Sequence, residues 1–435
     1  MYEYHPTTMK ETTHMKILII GSGGREHAIA WKIAQSPKVK KIFCAPGNPG
    51  IAEVAECVDI DVNNIEGLFN FAIRQKIDLT VVGPEDPLLS GIVDTFKDGN
   101  LDIFGPSKRA SLIEGSKVFA KTIMKKHSIP TADFRVFEDI KMAEKYLEKC
   151  FAPIVIKADG LAKGKGVFVC KTLEEAKEHL QEIMVERIFG NAGDRVVIEE
   201  CLHGEEVSIL AITDGQTIIP LSSARDHKAI YEGNKGPNTG GMGAYSPSHL
   251  ITNEMQRYIE ENILVPIIHA MKRENRPYSG IIYAGIMLTN AGPKVLEFNA
   301  RFGDPETQAL LVRMKSDLAS LLLAASNNTL DKAELEWYDS HSVCVVLASK
   351  GYPGKYRKGL PISGLQAVKA LKNVQVFHAG TANVHGNIVT NGGRVLGITA
   401  TGKDLKEART FVYDAIDRLS FEGVYYRKDI GVDAI

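Results

Sequence analysis

Lys16-Ile17-Leu18-Ile19-Ile20-Gly21-Ser22-Gly23-Gly24-Arg25-Glu26 is an apolar run of strand length that breaks into glycine and then into a helix-compatible segment. A short unalternating apolar run suits a strand buried on both faces, and residues 25–35 read as the helix that follows it. Residues 41–45 and 78–82 are further strands, each running into a Gly/Pro-rich loop. Repeated strand–loop–helix units imply a parallel sheet with ligand loops at the carboxyl ends of its strands. Because the glycine cluster opens a helix, its N–H groups can face an anion with the helix dipole behind them. The spacing G-x-G-x-x-G is not met, since Glu26 stands where the last glycine belongs. A bound sugar phosphate and a turn that needs glycine only for tightness both stay open, and dinucleotide binding ranks below either.

Outward from this unit, a helical stretch over 107–127 leads to Ile129-Pro130, an expected boundary. The next unit, about 131–201, carries a strand at 154–157, a glycine-rich loop, a charged helix from about 173 and a strand at 196–200. A larger region to about 328 alternates strands (207–212, 282–288, 294–298) with helices such as 253–272. The last hundred residues, from about 337, contain short strands and turns and read as a separate small domain.

A chain of 435 residues is too long for one core and predicts two to four domains. Net charge is −1, so no basic surplus argues for nucleic acid or an anionic membrane. Six dispersed cysteines with no C-x-x-C pair suit reduced thiols better than a disulfide framework or zinc site. The apolar runs are too short to span a bilayer. Residues 1–14 are polar, lack a signal-peptide core and are expected to form a loose extension. These features predict a soluble, cytoplasmic protein.

Four further stretches carry chemistry. In Ile156-Lys157-Ala158-Asp159-Gly160-Leu161-Ala162-Lys163-Gly164-Lys165-Gly166-Val167 a lysine ends a strand and a lysine–glycine loop follows. Glycines let backbone amides close over phosphate oxygens, and Lys157 adds a point charge. The loop is not a P-loop, and a solvated surface hairpin explains it equally well when it is taken alone. In Ile198-Glu199-Glu200-Cys201-Leu202-His203-Gly204-Glu205-Glu206-Val207-Ser208 a strand ends in acids, crosses a short loop and resumes. Such a crossover offers backbone groups to an adenine edge, and a carboxylate a few residues on can accept from ribose hydroxyls. Two acids on a solvated hairpin is the plainer explanation and is adequate for Glu205. In Val295-Leu296-Glu297-Phe298-Asn299-Ala300-Arg301-Phe302-Gly303-Asp304-Pro305-Glu306, strand alternation puts Glu297 and Asn299 on one face, with Leu296 and Phe298 on the other. A carboxylate and an amide carbonyl two residues apart are hard oxygen ligands, suited to Mg²⁺ bridging ATP phosphates. Polar side chains on a solvent-facing strand are ordinarily the commoner case, but apolar flanks and the charged loop that follows argue against mere solvation here. Gly236-Pro237-Asn238-Thr239-Gly240-Gly241-Met242-Gly243-Ala244-Tyr245-Ser246-Pro247 is loop by composition but long for a connector. Its glycines suit close approach to a small substrate, and Arg225-Asp226-His227-Lys228 upstream offers charges for phosphate.

Together these residues resemble the ATP-grasp superfamily. The order of motifs is similar to that of the phosphoribosylamine–glycine ligase (glycinamide ribonucleotide synthetase) family, from Met15 to the C-terminus. G-S-G-G-R-E-H-A, V-V-G-P-E-D-P-L, E-G-S-K, the four stretches above, G-Y-P-G-K-Y and R-K-D-I-G carry the likeness. It implies α/β and α+β architecture in several domains. A parallel-sheet pre-ATP-grasp domain (15–116) precedes a two-part ATP-grasp domain (117–205 and 206–335) and a small mixed α/β C-terminal domain (336–435). It also implies an ADP-forming ligase in purine biosynthesis that joins glycine to 5-phosphoribosylamine through an acyl phosphate, using ATP with Mg²⁺ or Mn²⁺.

Carried over by position, Lys117 and Lys157 contact ATP phosphates, with Gly164, Lys165 and Gly166 in the loop closing over them. Glu199, Glu200, Cys201 and Leu202 face adenine, Glu206 the ribose, and Lys228 the phosphates. Glu297 and Asn299 hold the metal, and Arg301 and Asp304 attend the reacting end. Gly23, Gly24, Arg25, Gly83, Pro84 and Glu85 face the phosphoribosylamine, while Asn238, Thr239, Gly240 and Gly241 line the substrate loop. Many superfamily members carry a third acidic ligand on the preceding strand, but here it reads Tyr283-Ala284-Gly285-Ile286-Met287-Leu288. The expected partners are small molecules, without nucleic acid or membrane, for a monomer or weak dimer. The rivals are a carboxylating or formate-using ATP-grasp enzyme and a non-catalytic nucleotide-binding module.

Overall fold

Strand Met15–Gly21 lies at the centre of a five-stranded parallel sheet ordered Glu56–Cys57, Val39–Pro46, Met15–Gly21, Leu79–Val82, Ile103–Phe104. The computed structural model describes residues 14–161 and 166–435. The expected N-terminal extension therefore lies, apart from His14, outside the described residues, as do Gly164 and Lys165. Ile17, Leu18, Ile19 and Ile20 have no solvent exposure, because helices and loops cover both faces of the sheet. Strand order reverses between Met15–Gly21 and Leu79–Val82. The loops after these two strands, which contain Gly23 and Gly83, therefore open on one crevice.

The helical stretch expected over 107–127 is two helices, Lys108–Gly115 and Lys117–Lys126. Ser116 divides them: its Oγ accepts from the Phe119 N–H at 3.0 Å and donates to Asp159 at 2.8 Å. A side chain that caps a new helix outcompetes continuation of the old one. The segment expected as one helix over 253–272 contains Asn253–Ile259 and Val265–Arg273, joined by a π-helical turn Glu260–Leu264. Pro266, which has no N–H to donate, follows that turn.

Two antiparallel sheets follow. The smaller is ordered Phe134–Phe137, Val196–Glu200, Ile154–Ala158, Val167–Cys170. Helices Ile140–Leu147 and Leu173–Met184 pack Ala143, Leu147, Ala176 and Leu180 onto Ile154, Ile156 and Ile198. The larger is ordered Ile218–Pro220, Glu205–Thr213, Gly280–Thr289, Gly292–Asn299. A last sheet is built on His341–Ser349, Arg394–Gly402 and Val374–His378, with Val424–Tyr425 pairing His341–Ser349. It also takes two strands from far upstream, Arg225–Asp226 and Gly243–Ser246. These two flank the long glycine loop, so that loop is rooted in the C-terminal sheet. No helix among the described residues is long and apolar enough to cross a membrane.

Candidate active site

The strand Gly292–Asn299 sets Glu297 opposite Gly285 and Asn299 opposite Tyr283. Its register shifts between Gly285 and Ile286, which pair with Glu297 and Val295, so Leu296 is the extra residue of a β-bulge. The bulge interrupts the simple alternation expected at Leu296 and leaves it half-buried, while Phe298 is buried. It also leaves the Leu296 carbonyl free to accept from Lys157 Nζ at 3.2 Å. Gly285 supplies no side chain, so the facing strand adds no third oxygen beside Glu297.

Three lysines from three elements surround this strand end. Lys157, at the end of Ile154–Ala158, is buried and paired with Glu199, which also takes Lys121 at 2.6 Å. Lys117 begins its helix and donates to the Gly160 carbonyl at 3.0 Å. Lys228 pairs with Glu206 and stands 3.4 Å from Glu297. Burial alone would raise the Glu297 carboxyl, but Lys228, Lys157 and Lys117 outweigh it and hold it at about 2. Burial likewise opposes the Lys228 charge, but Glu206, Tyr283 and Glu297 hold the ammonium well above its ordinary value.

Among the described residues no three His, Cys, Asp or Glu side chains cluster closely enough to hold a metal. Glu297 and Asn299 offer two hard oxygens, too few for a divalent cation by themselves. The three ammonium groups favour an anionic ligand in the same place. The donor set fits a hard divalent cation that arrives with phosphate oxygens completing its shell.

Of the other residues expected at the nucleotide, Gly166 is buried and its carbonyl accepts from Ala158 N–H at 2.9 Å. Glu200 bonds the Asp133 N–H and Lys294, at 3.0 and 2.8 Å. Cys201 and Leu202 lie in the short connection between Val196–Glu200 and Glu205–Thr213. The Glu199 side chain is internal, a bridge between two lysines.

In the crevice of the parallel sheet, Glu26 occupies the glycine turn. Its carboxylate accepts from the Gly23 N–H at 2.6 Å and from Arg25 Nε at 2.7 Å. A Cβ on Gly83 would come within 2.1 Å of it, so that glycine is required by close approach. The Gly23 N–H is therefore engaged by the protein's own carboxylate. Arg25, behind Gly24 at the helix start, also reaches the Phe302 carbonyl at 3.1 Å, tying this turn to the loop after Asn299.

Arg301 lies between two carboxylates, with Nε 3.2 Å from Glu85 and Nη2 3.0 Å from Glu114. Glu85 follows Gly83 and Pro84 at the start of a short helix. Burial pushes the two acids the same way, but Arg301 and Arg25 hold Glu85 down at about 2 while Glu114 rises to about 7. Nη1 also donates to the Phe302 carbonyl at 3.2 Å, so contacts on three sides fix the guanidinium plane. Asp304 takes Gln308 at 2.9 Å and Arg394 at 3.4 Å, and burial is outweighed by Arg394 and Arg25, which hold it ionised.

The substrate loop returns to the same place. Thr239 donates through N–H and Oγ to the Lys228 carbonyl, both at 2.8 Å, and accepts from Gly241 N–H at 3.0 Å. Gly241 has φ +111°, and a Cβ there would meet Pro305 Cδ at 2.4 Å. Asn238 and Gly240 are exposed. Lys117, Lys157, Lys228 and Glu206 thus gather around Glu297, while Arg25, Glu85 and Gly241 gather around Arg301 and Asp304. Sequence reasoning missed Glu26, Glu114, Lys121, Tyr352 and Arg394. Glu26, Glu114 and Tyr352 lay inside quoted motifs, and a charge just after the glycine turn or before G-S-K was the only local signal of the two acids.

Family models match most of the chain. Models described as phosphoribosylglycinamide synthetase N domain, ATP-grasp (A) domain and C domain match residues 15–114, 115–307 and 342–433. The chain is 54% identical over 416 residues to a phosphoribosylamine–glycine ligase of Caldanaerobacter subterraneus, covering 96% of this chain and 99% of that one. A crystal structure of phosphoribosylamine–glycine ligase from Thermotoga maritima superposes with a TM-score of 0.84 at 34% identity, over 95% of this chain and all of that one. A biotin carboxylase from Campylobacter jejuni, solved with β-γ-ATP, shares the fold alone, at 16% identity and a TM-score of 0.71 over 96% of this chain and 94% of that one.

Proposed function

Because the chain belongs to the phosphoribosylglycinamide synthetase family, we propose that it joins glycine to 5-phosphoribosylamine at the expense of ATP, releasing ADP, phosphate and glycinamide ribonucleotide. It is an ATP-dependent carbon–nitrogen ligase of purine biosynthesis, acting in the cytoplasm as a monomer or weak dimer. The observation that supports the site assignment is the convergence of Lys117, Lys157 and Lys228 on a strand end that offers two hard oxygens, from Glu297 and Asn299.

A glycine carboxylate oxygen attacks the γ-phosphorus, ADP leaves, and a glycyl phosphate forms. The sugar amine then attacks the acyl carbon and phosphate leaves, with one amine proton lost. No covalent bond to the protein is needed, so the side chains position reactants and stabilise charge. Lys117 and Lys157 hold the ATP phosphates under the loop containing Gly164, Lys165 and Gly166. Glu199, Glu200, Cys201 and Leu202 present backbone groups to adenine, and Glu206 accepts from the ribose. Glu297 and Asn299 hold Mg²⁺ or Mn²⁺, which when bound neutralises charge on the transferring phosphoryl group. Lys228 adds a cation beside them. Arg301, fixed by Glu85 and Glu114, directs its positive charge at the developing acyl phosphate. Asp304 attends the reacting end with Arg301, and the turn of Gly23, Gly24 and Arg25 with Gly83, Pro84 and Glu85 faces the phosphoribosylamine. Asn238, Thr239, Gly240 and Gly241 enclose glycine.

The test is a coupled ADP-release assay with each substrate omitted in turn. Release that requires both phosphoribosylamine and glycine is the expected result. Turnover with bicarbonate or formate in place of glycine, or ATP binding with no turnover under any pair, refutes the proposal.

A further inference from the structure

The C-terminal motif G-Y-P-G-K-Y and the strand from Arg394 have no part in the reaction above, yet both end at the glycine loop. Tyr352 accepts the Gly240 N–H on its hydroxyl at 3.1 Å. Arg394 Nη1 donates to the Gly240 carbonyl at 2.6 Å and to the Asp304 carbonyl at 2.8 Å. Both polar groups of Gly240 are thus held by the C-terminal domain, and one guanidinium nitrogen links its peptide to that of Asp304. A Cβ at Gly240 would lie 2.9 Å from Arg394 Cζ, and one at Gly393 would lie 2.2 Å from the Tyr352 ring, so the fit is close on both sides.

The same domain holds the rest of this segment. Arg427, of the R-K-D-I-G motif, donates to the Ala229 carbonyl and to Asn234, both at 3.0 Å. Asp429 accepts from the Gly233 N–H at 2.8 Å, and Tyr425 donates to the Ile230 carbonyl at 2.9 Å. The loop's exit strand, Gly243–Ser246, pairs with His341–Ser349. Root, hairpin and tip of the loop are therefore all set by residues of the C-terminal domain.

We infer that Tyr352 and Arg394 are positioning residues for glycine, fixing the Gly240 peptide and holding it against Asp304 at the reacting end. The inference rests on the proposed role of the loop of Asn238, Thr239, Gly240 and Gly241 in enclosing glycine. Among the described residues neither side chain bonds Lys117, Lys157 or Lys228, so their loss falls on glycine and not on ATP. Cement between domains without this role would lower the melting temperature or the yield of active protein, leaving both Michaelis constants unchanged.

The experiment measures KM for glycine and for ATP, kcat and melting temperature in Tyr352→Phe, Arg394→Lys and Thr239→Val. Tyr352→Phe removes one hydroxyl and preserves the ring, so it tests the idea even where Arg394 variants fail to fold. The expected result is a rise of about tenfold in glycine KM for Tyr352→Phe and Arg394→Lys, with ATP KM within about twofold. Glycine KM unchanged in both, while Thr239→Val raises it, overturns the inference and leaves the loop's role standing. Glycine KM unchanged in all three overturns the loop's role and the inference with it. Glycine and ATP KM rising together in the Tyr352 and Arg394 variants also overturns it.

Discussion

Glu199→Gln removes the carboxylate that lies between two ammonium groups. The side chains of Glu199, Lys121 and Lys157 are 2, 3 and 7% exposed, so water cannot replace the lost charge. Breaking a buried pair by removing one partner costs roughly 3–5 kcal/mol. Lys121 provides the relief. Burial, and then the like charge of Lys157, already lower its ammonium from 10.5 to about 8 with Glu199 in place. Without Glu199, deprotonation caps the penalty. Holding a lysine neutral at about pH 7.5 costs about 1.36 kcal/mol for each of roughly three pH units, or about 4 kcal/mol. Between its new Lys121 value and 10.5 the folded variant binds fewer protons than the unfolded chain, so its stability rises with pH. The native protein acquires that slope only above about 8. The stability gap therefore narrows between about pH 6.5 and pH 8, by up to about 2 kcal/mol, and is constant above that. Urea unfolding followed by circular dichroism at the two pH values measures it. Lys157 also loses its anchor, so ATP KM rises by about tenfold, the equivalent of one hydrogen bond. A gap of equal size at both pH values, or no gap, refutes the reasoning.

Three further outcomes follow from the same geometry. Glu297→Gln should abolish turnover with the fold intact, and native rates at modest magnesium in a steady-state assay would remove the metal assignment. Lys157→Ala should raise ATP KM well above its effect on glycine KM, and equal losses would count against a phosphate role. Gly241→Ala forces a Cβ to within 2.4 Å of Pro305 at φ +111°, so it should cost about 2 kcal/mol or more in backbone strain and contact. Glycine KM and melting temperature report that change, and native values for both would mean the loop is not held as described.

What the sequence made legible was local. Residues 16–20 and 196–200 have the apolar runs and flanking punctuation that only strands share, and the structure has strands at both places. Two-residue spacing was enough to keep Glu297 and Asn299 together, because the bulge falls at Leu296, before them. That bulge was not legible, since an extra residue changes no composition and interrupts alternation at one point. Ser116 was partly legible: serine before a lysine-rich stretch is a cap signal, but an unbroken helical pattern on both sides masked it. The role of Glu199 in the core was hidden because acids at a strand end look alike whether they face water or two lysines.

Contacts between segments far apart in sequence were the hardest to read, and the site depends on them. Arg394 reaches Asp304 across 90 residues and Gly240 across 154, and nothing local to Val395 or Gly393 announces either target. The strand Gly243–Ser246 belongs by sequence to the middle of the chain but by hydrogen bonds to the C-terminal sheet. The glycine loop is therefore held by many contacts where its composition suggests freedom, and the domain that encloses it supplies them. Glycine content at residues 236–243 reports how closely other groups approach that backbone: at Gly240 the neighbour is Arg394, at Gly241 Pro305 and Asp226, at Gly243 Ile430 and the Cys344 carbonyl. Three of these neighbours lie beyond residue 340. The C-terminal domain thus contributes to the site through the shape it imposes on a loop from another part of the chain.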